Sequence, residues 1–496
     1  MIVAKASKTE ILNYHLGDNK TLERYLTIYD VLPNGHRLEK MKAYYYDEDN
    51  ERLIIPRGYS IPRLQKILGD ESPVTYDTSH DPAIRIAGIK RTVKCRDDLQ
   101  KQGLDFLLSQ GKYDNLLYNT QKFLCLKTGA GKTAITVFAI CEMKRRSIII
   151  VDSLEIAKQW HDAFLTFSNI KDKDIYMISG RPSIAKLYKN KEFEPSYKVY
   201  IALHQTFTSL FKDDPKIITK FFLKTKIGIK VYDEAHVSWN SIMNIDAVTN
   251  TARTFYLTAT PGRSEVTENR LHNYCYEKVP VFGRDSISSY RYTTEEKDIN
   301  ERYIKVYYIR YNTHPSYNTQ IEMTKRGRFN MTAYYDYQYS TGYTATIENI
   351  KTILNLCLKN KDNRRIAIIL GKNDLIQKVY EDLQKVYPDK EIGRFCGLVS
   401  NKEKTLEKEK DIILSTEKSL GKAMNVENIG YLINLIPFSS QVISEQMIGR
   451  LRKNAKYSYL FDLADVGFHN CKINQQYRSK SYNNIAISIR DIDIEN

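Results

Sequence analysis

The stretch Phe123–Ile140, "FLCLKTGAGKTAITVFAI", sets a short apolar run, a glycine-rich turn and a helix-like pattern in order. That order predicts a buried strand, a tight loop and a helix, the unit from which open α/β sheets are built. Within the turn, Thr128, Gly129, Ala130, Gly131, Lys132 and Thr133 would wrap a diphosphate with backbone N–H groups at a helix N-terminus. Lys132 would reach the β- and γ-phosphates, and the Thr133 hydroxyl would ligate Mg²⁺. The general GxxxxGK[ST] pattern wants glycine at position 126, where this chain has Leu126. A glycine-rich connector is the bland alternative, and the strand and helix on either side argue against it.

Working outward, short apolar runs recur at Ser147–Val151, Lys198–Leu203, Gly228–Tyr232 and Thr254–Leu257, with helical patterns such as Leu154–Phe167 between them. A second set follows at Arg365–Leu370, Asp411–Leu414, Gly430–Ile436 and Ser458–Asp462, with a helix over Leu375–Val386. The alternation predicts two doubly wound α/β domains with parallel sheets. Residues 1–92 read as a small α+β accessory domain, because "KAYYYDEDNERLIIPRG" gives strand, acidic turn and strand, and "IPRLQKILG" a short helix. Domain one is expected over 93–283 and domain two over 284–496, the latter beginning with a tyrosine-rich linker whose "RYIKVYYIRY" reads as a hairpin.

The chain of 496 residues carries 75 Lys+Arg against 59 Asp+Glu, a formal charge of +16 that suits a polyanionic partner. Its 37 tyrosines add aromatic faces on which bases could stack. No apolar run approaches a membrane span, and "MIVAKASKTE" lacks the apolar stretch of a secretory signal. Seven cysteines without CxxC pairs indicate neither a disulfide framework nor a zinc site. Together these lead to the expectation of a cytoplasmic protein with no membrane partner.

"IGIKVYDEAH" places Asp233 and Glu234 after an apolar strand, where α/β folds put ligand groups. Asp233 can hold Mg²⁺, and Glu234 can orient or deprotonate an attacking water. "FYLTATPGR" ends another strand in the hydroxyls of Thr258 and Thr260, which suit a relay better than a catalyst.

GxGKT, DEAH, TATP and the "QMIGR" of Gln446–Arg450, in this order, resemble a superfamily 2 helicase or translocase over residues 93 to 470. The resemblance is nearest to DNA translocases and to phage recombination and branch-migration helicases of the UvsW type. It implies two RecA-like domains that clamp ATP, with Gln100 reading the adenine edge and Gln446, Arg450 and Arg452 acting at the γ-phosphate side. The usual second arginine falls at position 453, where this chain has Lys453, so Arg452 is the expected substitute. His236, Thr258, Thr260, Gly421 and Asn425 are expected to couple hydrolysis to movement, Asn425 standing where many relatives have aspartate.

Expected nucleic-acid contacts are Arg57, Arg63, Gln205, Thr206, Lys325, Arg326 and Arg328, with Tyr334, Tyr335, Tyr337 and Tyr339 as stacking candidates. The expected partner is branched DNA, or duplex with single-strand junctions, with RNA in hybrids a further possibility; the expected state is a monomer. The expected activity is ATP-driven remodelling of forks, Holliday junctions, D-loops or R-loops. The alternatives are an RNA helicase, a nucleotide-switched binding module without motor activity, and the motor subunit of a restriction assembly.

Overall fold

The computed structural model describes residues 1–31, 37–69, 72–77, 79–109, 120–126, 129–189, 197–259, 272–273, 275–276, 278–283, 302–325, 328–359, 364–417, 419, 426, 428–451 and 457–494. The chain divides into two compact units, Met1–Tyr290 and Arg291–Asn496.

The first unit opens with β1 (Ile2–Ala4), β2 (Lys8–Leu12), β3 (Thr27–Val31), β4 (Arg37–Lys42), β5 (Tyr45–Asp47), β6 (Arg52–Pro56) and β7 (Val74–Tyr76). Five of these form a sheet in the order β5-β6-β2-β1-β7, while β3 and β4 make a separate ribbon. The acidic turn between β5 and β6 and the helix Ile61–Leu68 lie where the sequence places them. This region belongs to the same compact unit as the chain that follows it. Ser7 donates its hydroxyl to the Thr249 carbonyl at 2.9 Å, and its N–H to Asn250 Oδ1 at 3.1 Å. Gly58 packs so closely that a Cβ there would stand 2.6 Å from the Cys275 carbonyl oxygen.

The large sheet of this unit contains β8 (Gln121–Cys125), β9 (Ser147–Val151), β10 (Ile175–Ile178), β11 (Val199–Leu203), β12 (Ile229–Tyr232), β13 (Arg253–Thr258) and β14 (Val281–Phe282). All pairings are parallel, in the order β10-β11-β9-β12-β13-β8-β14. Helices cover both faces, so the five residues of β8 and of β9 are buried throughout. This is why the runs read as continuous apolar blocks and not as alternation.

The second unit repeats the scheme with β15 (Ile304–Tyr311), β18 (Arg365–Leu370), β19 (Ile392–Phe395), β20 (Ile412–Thr416), β21 (Ile429–Asn434), β22 (Ser458–Asp465) and β23 (Ala486–Ile494). Their order is β19-β20-β18-β21-β22-β15-β23, again all parallel, and β16 (Thr324–Lys325) pairs with β17 (Arg328–Phe329) as a small antiparallel ribbon. One expectation is corrected here. "RYIKVYYIRY" is not a linker hairpin but the single strand β15, hydrogen-bonded to β22 on one side and β23 on the other. It has no turn residues at its centre, and its apolar positions find partners on neighbouring strands rather than on itself.

Candidate nucleotide site and nucleic-acid face

β8 runs into the glycine-rich turn, of which Thr128 lies outside the described residues. Gly129 and Gly131 take φ of 84° and 92°, a left-handed backbone that costs glycine nothing. Gly131 is the N-cap of helix Lys132–Met143 and offers no side chain to its first turn. The leading N–H groups therefore face outward as donors for an anion. Ala130 and Thr133 are half-buried beside them, and Lys132 donates Nζ to the Leu126 carbonyl across the turn at 2.9 Å.

Gln100 belongs to the same place. It is buried, its Oε1 accepts the Arg96 N–H at 2.8 Å, and its amide nitrogen fills the space beside Gly131 that a Cβ would need. The structure thus brings the expected adenine-reading residue to the phosphate turn.

β12 delivers the carboxylates. Asp233 donates its N–H to the Ile150 carbonyl of β9 at 3.1 Å, which continues the sheet by one residue. Its Oδ1 accepts the Glu234 N–H at 2.9 Å and its Oδ2 accepts the Trp160 indole N–H at 2.7 Å. Burial, reinforced by the adjacent Glu234 carboxylate, pushes the Asp233 carboxyl up to about 6; the Trp160 hydrogen bond and the Lys132 charge oppose the shift. Glu234 sits at φ 46°, an unusual conformation for a side-chain-bearing residue and one that recurs at functional turns. His236 is buried, with Nδ1 2.9 Å from Thr258 Oγ1 and 3.4 Å from Glu234 Oε2. The hydroxyl ending β13 is thereby tied to the turn ending β12, as a relay requires.

For Mg²⁺ the donor chemistry fits. A half-buried carboxylate and a threonine hydroxyl are hard oxygen ligands, and Mg²⁺ takes one or two protein oxygens with phosphates and water for the rest. Among the described residues no group of three or more His, Cys, Asp or Glu side chains gathers as a metal site would.

The other expected residues divide. Gln205 is exposed at the start of helix His204–Asp213, whereas Thr206 is 4% exposed and its Oγ1 accepts the Gly180 N–H at 2.9 Å. Thr206 therefore fixes the Gly180 turn. Arg63 is exposed on helix Ile61–Leu68, but Arg57 is 2% exposed and is a packing residue, not a surface cation. Tyr334 and Tyr337 are buried against Phe468 in the second unit, Tyr335 packs over Gly371, and only Tyr339 is exposed. Apolar ring faces at helical spacing along Met331–Tyr339 serve the core of that unit rather than bases. Lys325 and Arg328 stand on the β16–β17 ribbon, and Arg326 lies outside the described residues.

Gln446 lies on helix Gln441–Ile448, and Arg450 follows it in a turn, half-buried, with its N–H donated to the Met447 carbonyl at 3.1 Å. Thr260, Gly421, Asn425, Arg452 and Lys453 fall outside the described residues. Sequence reasoning missed the bond between Trp160 and Asp233. The available signal was a tryptophan on the apolar face of a helix that follows a strand neighbouring β12.

Comparison with known proteins follows the same lines. The family described as type III restriction enzyme, res subunit, matches residues 90–263. A DNA 3'-5' helicase XPB from Kineococcus radiotolerans is 28% identical over 155 residues, 31% of this chain. The match spans about a quarter of that relative's length, 26%. Among solved structures, S. cerevisiae Dbp5 bound to RNA and ADP BeF3 superposes with a TM-score of 0.52 at 12% identity, covering 80% of this chain and 89% of that one. T4 UvsW aligns over 99% of both chains at 15% identity, with a TM-score of 0.37. Motif order, the matched segment and the DNA helicase among the relatives agree in making this chain similar to the superfamily 2 helicases.

Proposed function

We propose that this chain hydrolyses ATP and uses the energy to move along and remodel branched DNA. The observation that carries the reading is the meeting, within the first unit, of the uncapped helix start at Lys132, the Asp233–Glu234 strand end and the His236–Thr258 contact. Backbone N–H groups from Gly129 onward and Lys132 hold the phosphates, Thr133 and Asp233 hold Mg²⁺, and Glu234 orients the attacking water. Bound Mg²⁺ would draw charge from the phosphate oxygens. Thr258, through His236, reports the state of the site to the end of β13. Gln446 and Arg450, with Arg452 as the expected second arginine, are assigned by motif order to the γ-phosphate side, where guanidinium charge offsets what develops in the transition state.

DNA as the track rests on the net charge of +16 and on the DNA helicase named among the relatives. A purified-protein ATPase assay with forked DNA, Holliday junctions, plain duplex and RNA tests the whole reading. Strongest stimulation by forks and junctions is expected, with unwinding or branch migration to match. Stimulation by RNA alone would transfer the chain to RNA remodelling. ATPase activity untouched in both Lys132→Ala and Glu234→Gln would sink the hydrolytic site itself.

A further inference from the structure

The Asp233 carboxylate is held by donors on both oxygens, and one donor comes from far along the chain. The Trp160 indole N–H reaches Oδ2 at 2.7 Å, across 73 residues of sequence. Trp160 is 1% exposed, in the middle of helix Leu154–Phe167, with its ring against Phe164. That helix starts two residues after β9, with Ser153 capping the Ile156 N–H, and β9 is the direct neighbour of β12. Strand order and helix cap therefore fix where the indole points.

We infer that Trp160 is a positioning residue for Mg²⁺–nucleotide binding: its N–H locks the rotation of the Asp233 carboxylate so that one lone-pair face is presented to the metal. The inference rests on the proposed ATP site. With Oδ1 on the Glu234 N–H and Oδ2 on the indole, the carboxylate plane cannot turn without breaking a hydrogen bond to an ionised group. Groups that orient a metal ligand from behind change metal affinity or activity by roughly 10–100-fold when removed.

The chain supplies its own control. Its other tryptophan, Trp239, is 0% exposed in the same unit, packed against His272 and Tyr276, and its Nε1 has no hydrogen-bond partner among the described residues. Trp160→Phe and Trp239→Phe thus remove the same atoms from buried sites, but only the first removes a donor to Asp233.

The full-length protein is used in both arms. In Trp160→Phe the Mg²⁺ concentration for half-maximal ATPase at saturating ATP should rise roughly 10–100-fold. The ATP KM at saturating Mg²⁺ should stay within about threefold, on the footing that uniform binding is untouched. Trp239→Phe should keep the wild-type Mg²⁺ midpoint. In the Trp239→Phe protein Trp160 is the sole indole, and adding Mg²⁺ to the ADP-saturated protein should change its emission. This arm stands even if Trp160→Phe fails to fold. A wild-type Mg²⁺ midpoint in folded Trp160→Phe, equal midpoint shifts in both variants, or Trp160 emission blind to Mg²⁺ would each overturn the inference. A wild type that neither binds nor hydrolyses ATP overturns the parent reading instead.

Discussion

Thr258 and Glu10 show how differently a buried polar side chain can be employed in one unit. The Thr258 hydroxyl lies 2.9 Å from His236 Nδ1 at the end of β13, one strand from the Asp233–Glu234 turn. Thr258→Val keeps the shape and deletes the oxygen, so basal ATP hydrolysis should stay within about tenfold while strand separation per ATP falls further, as expected when a relay and not a catalyst is lost. Parallel ATPase and unwinding assays read the ratio; equal losses in both would argue that the hydroxyl serves the chemistry directly. Glu10, by contrast, is structural. Burial would raise its carboxyl, but the Lys8 and Lys5 ammonium groups at 3.0 Å overwhelm this and lower it to about 2, and the Arg52 guanidinium also pairs with it at 3.1 Å. A depressed acid stabilises the fold fully above its ordinary value of 4.5, and the contribution drains away as pH falls from there to about 2. The window corresponds to about 3 kcal/mol, taking 1.36 kcal/mol per pH unit. Denaturant unfolding between pH 5 and pH 2 should show the wild type losing that much more stability than Glu10→Gln.

Elements explain which parts of the site were legible. The phosphate turn and the Asp233–Glu234 pair each occupy a few consecutive residues at the end of an apolar strand, and their geometry follows from local backbone rules. The Trp160 bond was not legible, because it exists only once β9 and β12 lie side by side. The burial of Arg57 and Thr206 was not legible for a related reason: a charge or a hydroxyl in a motif gives no sign of which way the fold will turn it. The tyrosines of helix Met331–Tyr339 make the same point in the second unit. A Cβ on Gly342 would stand 2.6 Å from the Tyr337 ring, and that ring also meets Phe468 edge-on at 5.0 Å between centroids. Tyr337→Ala should therefore destabilise the protein by about 3 kcal/mol, as expected for an aromatic removed from a packed core, and leave nucleic-acid affinity unaltered in the folded fraction. Thermal melts beside a binding titration separate the two; weaker binding without a lower Tm would return Tyr337 to the contact surface.

At the scale of the whole molecule the question is how a net charge of +16 is spent. Some of the cations are committed internally. Lys230 and Asp246 are a fully buried pair in the first unit, with Tyr232 and Tyr256 also donating to Asp246, and Arg478 grips Asp462 in the core of the second. Such cations hold elements in register and cannot meet a phosphate backbone. Only exposed ones can release counterions, so composition overstates the footprint and the salt dependence of binding measures it. Arg63 and Arg57 make the sharpest comparison, six residues apart, one exposed and the other 2% exposed. If the accessory region touches DNA through helix Ile61–Leu68, Arg63→Ala should lower affinity evenly across sequences and reduce the slope of log K against log salt by about one. Arg57→Met should leave the slope unchanged and lower the Tm, because a buried guanidinium acts on packing and internal hydrogen bonds. Titrations from about 50 to 200 mM salt resolve a change of that size. An altered slope for Arg57→Met, or an unaltered one for Arg63→Ala, would move the DNA track away from this helix and onto the strand-end loops around Gln205.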